Sequence, residues 1–133
     1  MMQNDIQTIR ADIAAYIRDS YGVEADFPWP RYPDYAVFRH ANNHKWFALV
    51  MRVEKTKLGL SGAGQIDIVN LKLESALAVE FLTQEPGFLP GYHIARGNWV
   101  SVLLDGSVPL ARITPLIDQS FAATAVLRMR KSE

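Results

Sequence analysis

Gln65-Ile66-Asp67-Ile68-Val69-Asn70-Leu71-Lys72 is the stretch on which the fold of this chain turns. Successive side chains of a strand alternate between faces, so Ile66, Ile68 and Asn70 fall on one side and Asp67, Val69 and Leu71 on the other. Polar groups in so apolar a run need solvent or a partner, which makes Asp67, Asn70 and Lys72 the sharpest polar candidates in the chain. Asp67 and Lys72 are five positions apart and lie on opposite faces. Asp67 is placed either to pair across strands with Arg52 or Arg39, or to meet a ligand. Two further stretches share the pattern: Val37-Phe38-Arg39-His40 through Lys45-Trp46-Phe47, and Tyr92-His93 through Trp99-Val100-Ser101-Val102-Leu103-Leu104-Asp105-Gly106. Together they describe an antiparallel sheet with one buried face and one functional face.

Helical periods surround these strands. Ile6, Ile9, Ile13, Ile17 and Tyr21 recur at spacings of three and four, predicting an amphipathic first helix of about 17 residues that Gly22 stops. Three prolines in Asp26-Phe27-Pro28-Trp29-Pro30-Arg31-Tyr32-Pro33 exclude helix interior and predict an extended segment pinned over the core by its aromatics. Residues 38–40 and 46–53 read as paired strands around the turn Ala41-Asn42-Asn43, and residues 98–104 as the last clear strand. The glycines at 59, 62 and 64 predict a flexible connection; a strand and not a helix follows them, which excludes a phosphate loop. A second helix over 74–83 would bury Leu77, Phe81 and Leu82, and a third, from Pro109, would bury Ile113, Leu116, Ile117, Ser120 and Phe121. Trp46 and Trp99, embedded in apolar strands, read as core.

At 133 residues and 49% hydrophobic composition, the chain is expected to form one domain, 1–133. It has no apolar run long enough to span a bilayer and no signal-peptide pattern at Met1-Met2-Gln3-Asn4-Asp5, so a cytoplasmic protein with no membrane partner is expected. The absence of cysteine removes disulfides, thiolate nucleophiles and sulfur-rich zinc sites. Formal net charge is zero, but residues 39–72 carry six basic side chains against two acidic ones, and residues 1–38 three against six. The basic part of the chain is the part that reads as sheet.

From Asp26-Phe27-Pro28-Trp29 onward the chain resembles the MmcQ/YjbR family of small bacterial proteins. The resemblance is carried by Val37-Phe38-Arg39-His40, Lys45-Trp46-Phe47-Ala48, Ile66-Asp67-Ile68-Val69-Asn70-Leu71-Lys72, Gly91-Tyr92-His93 and Trp99 through Val108. It implies a two-layer α+β fold, α-β(3)-α-β(2)-α, with helices on one face of an antiparallel sheet, similar to type III secretion chaperones. It also implies DNA binding, the label family members commonly carry. Where the family usually shows Met-Asn-Lys-x-His-Trp, this chain has Ile94-Ala95-Arg96-Gly97-Asn98-Trp99, which keeps a positive charge but not the amide or the imidazole.

A phosphate-tracking surface needs several cations on one face, and Arg39, Lys45, Arg52, Lys55, Lys57, Lys72 and Arg96 are the candidates. Trp46, Trp99 or Tyr92, if exposed, would add base stacking and favour single strands. His40 and His44 flank a turn instead of sharing a helix face, so no metal site is expected, and no catalytic residue or cofactor either. His93 is expected to cap a loop. The expectation is a DNA-binding or regulatory protein acting through a basic sheet face; the alternative is a non-enzymatic protein-interaction or chaperone-like module.

Overall fold

The hairpin between residues 36 and 54 contains a misalignment from which the architecture follows. In the computed structural model, which describes residues 2–92, 94 and 97–125 with side chains from residue 9 onward, β1 (Ala36–Arg39) pairs antiparallel with β2 (Trp46–Glu54). Phe38 lies opposite Ala48, but Arg39 lies opposite Trp46, leaving Phe47 as an extra residue. Such a bulge breaks the alternation of faces. Phe47 and Ala48 therefore both enter one core, while Trp46 is turned to the other side of the sheet.

A 3-10 turn (Lys55–Leu58) leads to β3 (Gln65–Lys72), followed by α2 (Ala76–Leu82), β4 (Phe88–Pro90), β5 (Trp99–Leu103) and α3 (Leu110–Ala123), with α1 (Met2–Tyr21) at the start. The five strands are ordered β1-β2-β3-β5-β4 and every pair is antiparallel. This is the α-β(3)-α-β(2)-α arrangement that the family resemblance implied.

Helix α1 runs to Tyr21, where Gly22 takes a left-handed conformation (φ +69°) and donates its N–H to the Arg18 carbonyl at 2.8 Å. Its fully buried Ile13 and Ile17 meet Ile113 and Ile117 of α3 over Phe38, Val50, Val69, Leu71, Val100 and Val102 of the sheet. Tyr16 and Tyr21 both donate their hydroxyls to Asp118 of α3, and Tyr21 stacks on Phe121 at 3.8 Å, so α1 and α3 are clamped side by side. The Ile6 side chain, His93 and Arg96 lie outside the described residues.

Several sequence expectations are corrected. The sheet has no free polar face, because Val37, Leu49, Met51, Val53, Ile66, Ile68 and Leu103 form a second buried cluster opposite the helices. Trp46 and Trp99 are half-buried instead of core. Helix α2 is shorter than predicted and buries Val79, while Leu77 and Phe81 are 59% and 69% exposed. Of the two readings open for the glycine-rich connection, hairpin or linker, it is the hairpin, closed by Lys55 N–H on the Gly64 carbonyl at 3.0 Å, with Leu58 and Leu60 packed on the second cluster. Strand β4, short and ending in proline, has no sequence signal of its own. Asp67 does pair with Arg52, directly opposite on β2, at 2.9 Å.

Ser120 closes the bulge. The register that sets Leu49 opposite Asn70 would set Phe47 opposite Lys72, but their ladder is broken and the fully buried Ser120 hydroxyl stands between them. It accepts from the Lys72 N–H at 2.8 Å and donates to the Phe47 carbonyl at 2.5 Å. Ser120→Ala leaves both backbone groups unpaired in a buried site, each at a cost of about 1–3 kcal/mol. The expected outcome is a loss of roughly 2–4 kcal/mol in urea unfolding, and a loss under 1 kcal/mol would show that the bulge closes without the hydroxyl.

His40 lies nearby, buried against Phe47 and Phe121, with Nε2 2.8 Å from the Thr124 hydroxyl. The Thr124 hydroxyl also lies 2.8 Å from the Ser120 carbonyl. Burial lowers the His40 pKa below its ordinary value of 6.5. The folded state thus favours neutral imidazole: the stabilisation is complete above about pH 6.5 and declines as pH falls toward the folded pKa. Thermal midpoints compared between pH 7.5 and 5.5 should fall more for the wild type than for His40→Gln; parallel declines would refute the assignment.

Candidate functional site

Residues 26–35 wrap around the β1 edge and carry aromatics from the helix side to the other face. Asp26 forms an antiparallel bridge with Val37, Phe27 stays on the α1 side beside Arg10 and Ala14, and Trp29 and Tyr35 pack on the second cluster. The three prolines hold this strap without helical hydrogen bonds, and a turn closes where the Tyr32 N–H meets the Trp29 carbonyl at 2.9 Å.

The strap and the sheet border an open cavity of about 290 Å³ lined by Trp29, Tyr32, Tyr35, Trp46, Leu49 and Met51. Trp29 stands edge-on to both Trp46 (5.6 Å) and Tyr35 (6.0 Å), and Tyr35 stacks on Tyr32 at 4.8 Å. Burial, then the proximity of Tyr92 and Tyr32, raises the Tyr35 pKa, so its phenol remains a hydrogen-bond donor at neutral pH. No carboxylate lines the cavity.

Beside the cavity a row crosses the sheet in register: Val37, Leu49, Asn70, Ser101 and Leu89. Ser101 donates its hydroxyl to Asn70 Oδ1 and accepts the Tyr92 N–H at 2.9 Å, while Asn70 Nδ2 reaches Met51 Sδ at 3.3 Å. Asn70 and Ser101 are fully buried. Asn70 is thereby a structural residue that fixes the start of the loop at Tyr92 and the position of Met51 in the cavity wall.

The predicted cations separate into groups. Arg39 lies on the cavity side, 5.9 Å over the Trp46 ring and paired with Asp26 at 2.9 Å. Exposed Lys45 immediately precedes Trp46, and strand alternation puts Lys72 on the same face as Ile68 and Asn70. Arg52 lies on the helix side, where it and Arg10 (3.3 Å) both reach Asp67, which is only 1% exposed; Asp67 raises the Arg52 pKa further. Lys55 and Lys57 lie beyond the far end of β2, roughly 30 Å along the strand from Lys45. Arg31 is exposed in the turn between the wall residues Trp29 and Tyr32 and was missed in the sequence, as were Trp29, Tyr32, Tyr35, Leu49 and Met51 as wall residues. Their one sequence signal was the pairing of aromatics with prolines in a stiff run. Among the described residues no group of His, Asp or Glu is arranged to hold a metal, and no helix is long and apolar enough to cross a membrane.

Comparison with known proteins places this geometry. Over 115 residues the chain is 43% identical to the Bacillus subtilis (strain 168) "Uncharacterized protein YyaQ", covering 86% of this chain and 97% of that one. The crystal structure of a Pseudomonas syringae protein, 38% identical, matches with a TM-score of 0.84 over 87% of this chain and 98% of that one. A Deinococcus radiodurans structure, 20% identical, shares the fold with a TM-score of 0.66, covering 92% of this chain and 85% of that one. The sequence profile of the family described as YjbR matches residues 18–123, every strand of the sheet included, and the chain belongs to the YjbR family.

Proposed function

We propose that this chain is a non-enzymatic, cytoplasmic DNA-binding protein that takes an unpaired base of single-stranded DNA into the aromatic cavity of the sheet. The reading is supported above all by the cavity wall: four aromatic rings and two apolar side chains around a space at the lower end of the roughly 300–1,000 Å³ of small-ligand pockets. That space suits one planar ring system. The aromatic faces of such a wall are surfaces on which an uncharged base stacks.

Cations outside ion pairs are available to a phosphate backbone. Asp26 is engaged by Arg39 and Asp34 lies 3.8 Å from Arg52, so both nearby carboxylates are countered. Arg31, Lys45 and Lys72 form no ion pair among the described residues. The reading departs from a continuous basic sheet face, because Arg39 and Arg52 lie on opposite sides and Arg52 is held by Asp67. Duplex DNA, whose bases are already stacked, is the poorer ligand on this account.

A short oligothymidylate should quench tryptophan fluorescence on titration and bind more tightly than a duplex of equal length. Tyr32→Ala, at a half-exposed position, and Trp46→Leu should each weaken binding about 5- to 150-fold, the equivalent of roughly 1–3 kcal/mol per stacked base. With three or four phosphate contacts, log affinity should fall against log salt with a slope of about −2 to −3. Salt-independent binding, tighter binding to duplex, or an unaffected Tyr32→Ala variant would overturn the proposal.

A further inference from the structure

The strap is gripped from the face of the sheet opposite the cavity. Asp34 and Ala36 lie on the helix side, and Tyr35 and Val37 on the cavity side, so the chain passes from one face to the other between Asp34 and Tyr35. On the helix side, Arg10 of α1 donates from Nη2 to the Asp34 carbonyl, and Arg52 of β2 stands 3.8 Å from the Asp34 carboxylate. The Tyr35 N–H meets the Tyr32 carbonyl at 3.0 Å. Asp34 therefore sits inside a closed turn whose two ends, Tyr32 and Tyr35, are rings of the cavity wall.

Around this contact α1 and the strap stand apart. The small side chains of Ala11, Ala14 and Ala25 help line a cleft of about 450 Å³ between them, and Arg10 reaches across it. Arg10 is also shared with a second acceptor. Its Nε lies 3.3 Å from Asp67 Oδ2 yet is buried without a hydrogen bond, while Arg52 makes two aligned bonds to Asp67 at 2.9 and 3.2 Å. A buried donor without an acceptor is unfavourable, so the guanidinium has a second arrangement within reach: released from Asp34, it turns its Nε–H onto Asp67.

We propose that Arg10 is a latch that couples α1 to the aromatic cavity across the sheet edge. Bonded to Asp34, it holds the Tyr32–Tyr35 turn in place; turned to Asp67, it frees that turn and loosens the cavity wall. Arg10 is on this account a positioning residue, since it acts through Asp34 and touches nothing in the cavity. Coupling between two sites is reciprocal, so a change in the cavity wall acts back on Arg10. The latch stands on the geometry of the strap, and only its effect on DNA rests on the single-stranded reading of the cavity.

Arg10→Lys keeps a charge beside Asp67 but loses the planar fork that serves two acceptors at once. It should hold the thermal midpoint near that of the wild type, move the Tyr32 and Tyr35 amide and Trp29 indole resonances, and weaken oligothymidylate binding about fivefold or more. Tyr35→Leu, made on the cavity side, should in turn shift the Arg10 Nε–H resonance, and this variant leaves the ion pairs of the helix side untouched. Resonance changes in Arg10→Lys confined to α1, Arg52 and Asp67 would overturn the proposal, as would an Arg10 Nε–H unmoved by Tyr35→Leu. So would equal oligothymidylate affinity in the wild type and Arg10→Lys. Both sets of shifts in a protein that binds no oligothymidylate would support the latch and sink the DNA reading instead.

Discussion

The insertion of the Ser120 hydroxyl between the Phe47 carbonyl and the Lys72 amide is the contact on which the two sides of this protein depend. A strand with an extra residue must reverse the direction of its side chains past that point, and the backbone groups at the break need partners where no water reaches. One serine on α3 supplies both hydrogen bonds, which ties the helix to β2 and β3 at the place where the ladder fails. With the bulge held open in this way, Phe47 enters the helix-side core with Tyr21, His40 and Phe121 around it, and Trp46 is delivered to the opposite face. The core and the aromatic cavity thus follow from the same local irregularity.

Electrostatics divides the basic residues into structural and available ones. A carboxylate as buried as Asp67 would be strongly destabilising without partners, and it draws both Arg52 and Arg10 to itself on the helix side. Arg39 is held between Asp26 and the face of Trp46. Exposed pairs of that kind contribute little to stability, but this one joins the strap to the sheet at the mouth of the cavity. A neutral protein thereby leaves Arg31, Lys45 and Lys72 outside its ion pairs among the described residues, while Glu74, Glu80 and Glu85 lie on or beside α2.

The elements that sequence reading placed well are those in which one period dominates. Ile13 and Ile17 on α1, the stripe Ile113, Leu116 and Ile117 on α3, and the alternation of Ile66 through Leu71 on β3 each have a single solution that buries their apolar side chains. The readings that failed lie where local pattern and burial part company. Leu77 and Phe81 have helical spacing, yet α2 is a short helix that turns only Val79 into the core. Strand β4 forms because β5 offers an open edge, not because Phe88-Leu89-Pro90 favours extension. Trp46 lies in a run so apolar that no alternation could show which way its ring would turn.

Composition and periodicity were sufficient for the α+β class and for the order of every element but β4, and they narrowed the partner of Asp67 to Arg52 or Arg39 without deciding between that pairing and a ligand, because hydrophobic spacing is a property of neighbouring residues. The functional surface required the folded chain. Trp29, Tyr32 and Tyr35 come from a proline-stiffened strap, Leu49 and Met51 from a strand that faces them, and Trp46 from the far side of a bulge at Phe47 that a serine 73 positions later keeps open. Contacts between segments so distant depend on where the chain bends and on which face each strand presents, and neither is encoded in the spacing of adjacent side chains.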